Sequence, residues 1–308
     1  MKKVSIIIPT YNCLAFLPKA VESVFSQSHQ DFELIIINDN SSDDTENYLN
    51  NLTDERVKVI TTGGVGASQA RNLGIAESCG DYIAFLDADD FWLPEKLSLQ
   101  LKLHETNPTV AMSFTNYDHL TEEYQSIVDC FSYWNQFQDD NSPYIHLEHP
   151  LDFIIKNNII GTSTVMINAE ILPKIRMFDA DIKYAEDWEL WLRICEEYEV
   201  AALNSVQVGY LMRQSSTTQT DSLRLRNLQC IESILNRYQN ESQRWDLSPS
   251  SFKNARARVL EGYADYHRGL QHYKQAIAFG LRSLILVPEL RRVRSLLGDC
   301  SKALYLSK

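Results

Sequence analysis

The chain has 308 residues, 44% hydrophobic and 23% charged, the proportions of a globular protein with a sizeable core. Its net charge of −12 argues against non-specific nucleic-acid binding, but from Trp245 to Lys308 11 Lys and Arg face 5 Asp and Glu, so the last part is basic. No apolar run reaches the roughly 18 residues of a spanning helix, and only five residues lie between Lys3 and Pro9, too few for a signal-peptide core.

Residues 4–8 (Val-Ser-Ile-Ile-Ile) and 34–37 (Leu-Ile-Ile-Ile) predict strands buried on both faces. Between them Leu17, Val21, Val24 and Phe25 follow i, i+4, i+7, i+8, an amphipathic helix with Pro18 in its first turn. A second helix is expected to start near Asp43, a strand over residues 57–60, a third helix from about Ala67 to Glu77, and a strand over residues 82–86. This alternation predicts an α/β fold, a parallel sheet with helices on both sides.

Leu97 and Leu101 mark a further helix, and residues 110–117 a further strand. Residues 118–150 are polar, aromatic and irregular, with Asp139-Asp140-Asn141-Ser142-Pro143 as the clearest breaker; they suit substrate-shaping loops and an insertion equally. Residues 163–167 resemble a strand, Trp188, Trp191, Leu192 and Cys195 share one helix face as core packing, and residues 200–212 form one or two closing strands. From Asp221 onward the pattern is helical, broken near Ser248-Pro249-Ser250. Ala276-Ile277, Ser283-Leu284, Leu286 and Pro288 resemble the second helix of a tetratricopeptide-type pair. The expected organisation is a catalytic domain over residues 1–220 and a helical appendage over residues 221–308. The appendage packs on the catalytic domain or mediates self-association, and its basic charge suits a solvated helical face or peripheral contact with a membrane. Six scattered cysteines without a Cys-x-x-Cys pair predict reduced, packed thiols of a cytoplasmic protein.

The chemistry gathers in segments that follow these strands. Asp87-Ala88-Asp89-Asp90 puts three carboxylates after the strand at residues 82–86, and hard divalent cations such as Mg²⁺ and Mn²⁺ take one or two carboxylates with substrate phosphates. The first strand ends in Pro9-Thr10-Tyr11-Asn12, the second in Asn38-Asp39-Asn40, and Gly66-Ala67-Ser68-Gln69-Ala70-Arg71-Asn72 opens a helix. Tyr11 suits stacking on a nucleobase, Asp39 suits accepting from a base N–H or ribose hydroxyl, and Arg71 offers a planar donor fork. Taken singly, Asp39 reads better as an Asx turn and Arg71 as a surface ion pair; the set of segments together does not.

The ordered set resembles the family 2 glycosyltransferases, over about residues 3–213, which implies a GT-A fold: a mixed sheet with flanking helices that binds nucleotide-diphosphate sugars. The resemblance assigns Pro9, Tyr11, Asp39 and Arg71 to nucleotide binding, Asp87 to ribose and metal-linked contacts, and Asp89 to the Mn²⁺ or Mg²⁺ ion. In Glu186-Asp187-Trp188 it makes Asp187 the general base and Glu186 its orienting or acceptor-contacting neighbour. Gly161-Thr162-Ser163 matches the acceptor-side loop. Arg213-Gln214-Ser215 departs from the family's Arg-x-His, and Asn38 and Asn40 stand where Asp and Gly are common. The expected activity is inverting, metal-assisted transfer of a sugar to a hydroxyl acceptor of a surface polysaccharide, glycolipid or protein, the acceptor glycan free or lipid-linked. Two other readings stay open. One is a nucleotidyltransferase, although Pro9-Thr10-Tyr11-Asn12 is no glycine-rich phosphate loop. The other is a catalytically degenerate binding or scaffold protein, which has no need of Asp187.

Overall fold

Ile6, Ile7 and Ile8 are all fully buried, so the strand that carries them must be covered on both faces. The structure, a computed structural model, describes residues 2–138, 142–213 and 221–306. Strands β1 (Val4–Thr10), β2 (Phe32–Asn38), β3 (Val57–Thr61) and β4 (Tyr82–Phe85) run parallel in the order β3-β2-β1-β4. Helices α1 (Leu17–Phe25), α2 (Thr45–Asn50) and α3 (Ala67–Ala76) connect them. On one face Ile6, Ile8, Leu34 and Ile36 cluster with Leu17, Val21 and Val24 of α1; on the other, Ile35 and Ile37 meet Ala70 of α3. Each such side chain contributes roughly 1.5–3 kcal/mol on burial. Gly74 lets α3 seat closely on β1, since a Cβ there would lie 2.5 Å from Cγ2 of Ile7.

Beyond β4 the chain adds β5 (Phe91–Trp92), α4 (Lys96–Thr106), β6 (Val110–Leu120), β7 (Ser126–Asp129), β8 (Tyr144–His146), α5 (Pro150–Asn157), β9 (Met166–Asn168), α6 (Glu186–Glu197) and β10 (Glu199–Leu211). The sheet continues β4-β9-β6-β10-β5, with β7 on β6 and β8 on β10; β9 is antiparallel to both neighbours and β6 is parallel to β10. The connections run from β1 to one side and return to β4 on the other. Their carboxyl ends therefore form a topological switch point, where open α/β sheets bind ligands.

Two expectations change, and a third is narrowed to one of its alternatives. The strand expected over residues 163–167 is a 3₁₀ turn, Thr162–Thr164, followed by the short β9. The Thr164 N–H and hydroxyl both donate to the Gly161 carbonyl, at 2.9 and 2.6 Å, closing the turn before a strand can begin. The region after residue 117 is less irregular than its composition suggests: β6 runs on to Leu120 and pairs with β7. Asp139, Asp140 and Asn141 of the breaker lie outside the described residues. The closing segment is one strand, β10, with register shifts between Leu203 and Val208.

The chain forms two compact units: Met1–Pro150, Ile159–Asp181 and Glu186–Arg213 make the first, and Leu151–Asn158, Ile182–Ala185 and Gln214–Lys308 the second. The second unit holds α7 (Asp221–Asn240), α8 (Pro249–Gly269), α9 (Tyr273–Leu286) and α10 (Leu290–Leu306). The break at Ser248-Pro249 is the start of α8: the Ser248 hydroxyl accepts the Ser250 N–H at 3.1 Å, and Pro249 needs no N–H partner in the first turn. Asp152 of α5 receives the Ser248 N–H and the Ser251 hydroxyl at 2.9 and 2.7 Å. No helix among the described residues is long and apolar enough to cross a membrane. Cys13, Cys130 and Cys195 are buried, and no disulfide joins the described cysteines.

Beneath the sheet a polar cluster is sealed in. His104 lies with Nδ1 3.1 Å from the Val110 carbonyl and Nε2 3.0 Å from the Ser113 hydroxyl, which also accepts from Gln100 at 3.0 Å. A carbonyl needs a donor, so the ring is neutral with its proton on Nδ1. Burial lowers its pKa from 6.5 to about 4. The unfolded chain therefore takes up a proton below about pH 6.5 that the folded chain refuses until about pH 4. Stability should fall by about 3 kcal/mol across that window, lost as pH drops. Urea unfolding at several pH values should show this slope, and His104→Gln should flatten it; an equally steep slope in the variant would clear His104 of the effect.

Candidate active site

The loops after β1 and β2 are tied together by their own polar side chains. Asn12 adopts φ +49° and its Oδ1 accepts the Ser42 N–H at 2.6 Å, while the Asn12 N–H donates to the Ser41 hydroxyl at 3.0 Å. Asn40 takes φ +64°, a left-handed conformation that Asn tolerates better than most residues, where the family commonly has Gly. Pro9 lies within β1 opposite Ile37, and Tyr11, just beyond the strand, is 62% exposed with its ring open to a ligand. Asp39 is buried and anchors the loop that leads into α3: its Oδ1 accepts the Val65 N–H at 2.7 Å and the Thr62 hydroxyl, and its Oδ2 the Gly66 N–H at 2.8 Å. Burial opposes its ionisation, but these donors outweigh it and hold the pKa below the usual carboxylate value. Oδ2 keeps lone-pair capacity for a further donor.

A second cluster centres on Arg71. Its guanidinium is buried, and it donates to Oδ1 of Asp87 at 2.7 Å and to Oε1 of Glu186 at 2.9 Å. Nε has no partner among the described residues. The ring of Phe178 lies 5.4 Å from the guanidinium carbon, fixed by reciprocal bonds of 2.8 and 3.0 Å between the Asn72 side chain and the Phe178 backbone. The donor fork expected for a nucleotide is thus engaged by two carboxylates. Asp187, next to Glu186, accepts the Thr162 hydroxyl at 2.8 Å. Asp89 is held by Arg213, Nε to Oδ2 at 2.8 Å, and the guanidinium carbon of Arg213 stands 4.8 Å from the centre of the Phe16 ring. Asp90 is interior: it accepts the Ser163 hydroxyl at 2.6 Å and the Leu211 N–H at 3.1 Å.

The structure therefore brings Arg71, Asp87 and Glu186 into direct contact, with Asp89 and Asp187 beside them, while Asp39 belongs to the neighbouring loop anchor. From the sequence, Arg213 had no role of its own, Asp90 stood only as the third carboxylate of the cluster, and Thr162 and Ser163 stood only within the match to the acceptor-side loop. The Gly161-Thr162-Ser163 turn in fact hydrogen-bonds to carboxyls of both acidic segments, since Thr162 bonds Asp187 and Ser163 bonds Asp90. The arginine preceding Ser215 was the signal available for Arg213.

Five carboxyl groups here face two guanidiniums. Burial, then the Asp87 charge, raises the Asp89 pKa against the pull of Arg213; burial, then Asp89 and Asp87, raises that of Asp90 further. Glu186 is raised by burial and by Asp187, with Arg71 opposing. Uncompensated negative charge of this kind fits a divalent cation. Among the described residues no three His, Cys, Asp or Glu gather as a metal site; a cation here would have Asp89 and Asp87 as its protein donors and would take the rest of its shell from phosphate oxygens and water.

The sequence pattern of Glycosyl transferase family 2 matches residues 5–157. The chain is also 35% identical over 195 residues to the Escherichia coli UDP-Glc:alpha-D-GlcNAc-diphosphoundecaprenol beta-1,3-glucosyltransferase WfaP, covering 63% of this chain and 70% of WfaP. The chain belongs to glycosyl transferase family 2. An uncharacterized glycosyltransferase of Rickettsia bellii is 33% identical over 217 residues, 70% of this family 2 chain and 30% of the relative. The chain thus spans about a third of the length of the first curated relatives it matches. In structure, the mannosyltransferase PcManGT of Pyrobaculum calidifontis, solved with GDP-Man and Mn²⁺, superposes with a TM-score of 0.59 at 17% identity, over 98% of this chain and 80% of that one. The fold is accordingly GT-A.

Removing Arg71, itself buried, leaves the partly buried carboxylates of Asp87 and Glu186 without their cation. Arg71→Met should cost about 3–5 kcal/mol of stability by urea unfolding. A loss below about 1 kcal/mol, the scale of a surface pair, would show that the bridge is not structural.

Proposed function

We propose that this family 2 enzyme transfers a sugar from a nucleotide-diphosphate sugar, UDP-linked, to a hydroxyl of a lipid-linked acceptor glycan, with inversion. One observation carries this reading: buried Arg71 joins Asp87, after β4, to Glu186, at the start of α6, so the acids read as donor-side and acceptor-side meet on one guanidinium. The substrates in the name of WfaP support the choice of donor and acceptor.

Tyr11 stacks on the base and Asp39, steadied by the 62–66 loop, receives a donor from the nucleoside. Asp87 meets the ribose. Asp187 takes the proton from the acceptor hydroxyl as that oxygen attacks the anomeric carbon opposite the departing diphosphate. The Thr162 hydroxyl fixes the orientation of the Asp187 carboxylate, and Glu186, clamped by Arg71, lies beside it at the acceptor. Attack on the face opposite the leaving group inverts the anomeric centre. Asp89, assisted by Asp87, would hold Mn²⁺ or Mg²⁺, which when bound offsets the charge growing on the diphosphate. Arg213 already sits on Asp89, so this guanidinium and the cation compete for one carboxylate.

Asp187→Asn should retain UDP-sugar affinity and lose about 10²–10⁴ in turnover, the range of a general base. Unchanged turnover would assign the base elsewhere. In thermal-shift measurements UDP should raise the Tm only with Mn²⁺ present, by mass action on the native state, and Asp89→Ala should abolish that dependence. A UDP shift that Mn²⁺ does not alter would remove the cation from the reading.

A further inference from the structure

Helices α9 and α10 expose a surface whose chemistry the transfer reaction does not use. α9 contains no Asp or Glu, and the single carboxylate of α10, Asp299, is 2% exposed and held by Arg268 at 2.6 Å. Glu289, between the two helices, pairs with Arg291 at 2.7 Å and Arg292 at 3.2 Å. The exposed charges of these helices are therefore all positive: Lys274, Arg282, Arg291, Arg294 and Lys302.

Between these cations stand apolar side chains in water. Leu281, Ile285 and Leu286 on α9 and Leu290, Val293 and Leu297 on α10 are exposed, Ile285 to 71%, Leu290 to 78% and Leu297 to 63%. The spacings 281/285 and 290/293/297 put each set on one helix face. Ile285, Leu286 and Leu290 fall within six residues of chain, so the two stripes meet at the α9–α10 turn.

We propose that this face docks the chain on an anionic lipid surface, with the apolar side chains entering the headgroup boundary and the cations meeting lipid phosphates. Charge selects this occupant over a second copy of the chain. Symmetric pairing of the face would set Arg282, Arg294 and Lys302 against an equally basic surface with no exposed carboxylate on either helix to receive them. The attraction must also arise here, because residues 1–244 carry a net −18 and are repelled by anionic lipid.

Vesicle co-sedimentation of the full chain tests this. It should bind phosphatidylcholine vesicles containing phosphatidylglycerol, bind pure phosphatidylcholine at least tenfold more weakly, and release as salt is raised. The Ile285→Glu/Leu297→Glu double variant, whose altered side chains are exposed in the native fold, should lose binding with an unchanged circular dichroism spectrum and Tm. The charge variant Arg282→Gln/Arg294→Gln/Lys302→Gln should lose roughly fivefold per cation on anionic vesicles only. Absence of binding, equal binding to both vesicle types, or full binding by either variant overturns the proposal. A dimer seen by light scattering that Leu297→Glu dissolves would give the face to a second copy and overturn it equally.

Discussion

The candidate site depends on a buried guanidinium that must satisfy two carboxylates from distant parts of the chain. Arg71 is 16 residues from Asp87 and 115 from Glu186, and it bonds both. Without it, acids gathered after β4 and at the start of α6 would repel one another in a poorly solvated space. Its placement rests on ordinary packing: Gly74 allows α3 to press on Ile7, and Asn72 pins Phe178 beside the guanidinium. A core contact and a polar clamp, each unremarkable alone, thereby fix the geometry of the acids.

The remaining acids are divided by environment. Asp90 is drawn fully inside and spends its oxygens on Ser163 and Leu211, tying the 161–164 turn and β10 to the turn after β4. Asp89, two residues beyond Asp87, stays partly open and is countered by Arg213. Asp187 takes its orientation from a hydroxyl, and Glu186 takes its own from a cation. Adjacent carboxyl groups of identical chemistry thus differ in burial and in the partners that hold them.

The second unit is built by other rules. Its helices are joined by caps and paired charges, such as Ser248 at the start of α8 and Arg268 between Asp265 and Asp299. The buried carboxylate of Asp299 pairs with Arg268, while cations and apolar side chains are left exposed on α9 and α10. That sorting of charge by burial separates its exposed surface from the acidic character of the rest of the chain.

What the sequence determined by itself is what short-range pattern can encode. Triple-isoleucine runs demand strands covered on both faces, the helix between them follows from apolar spacing, and the carboxylates after β4 sit at a strand end because the apolar run stops there. The α/β class was legible for this reason, whereas the family and its GT-A fold came from the resemblance carried by the ordered motifs. What only the tertiary structure decided depends on partners far away in sequence. The first part of the strand expected over residues 163–167 became a turn, leaving Met166 and Ile167 to the short β9, because the Thr162 and Ser163 hydroxyls reach Asp187 and Asp90 and Thr164 folds back on Gly161. Arg71 became an internal bridge rather than an open fork, and Arg213 found Asp89 across 124 residues. Propensity and periodicity carry no information about which buried charge will meet which counter-charge; that choice is made only when the packed sheet brings them together and removes the water that would otherwise have satisfied each alone.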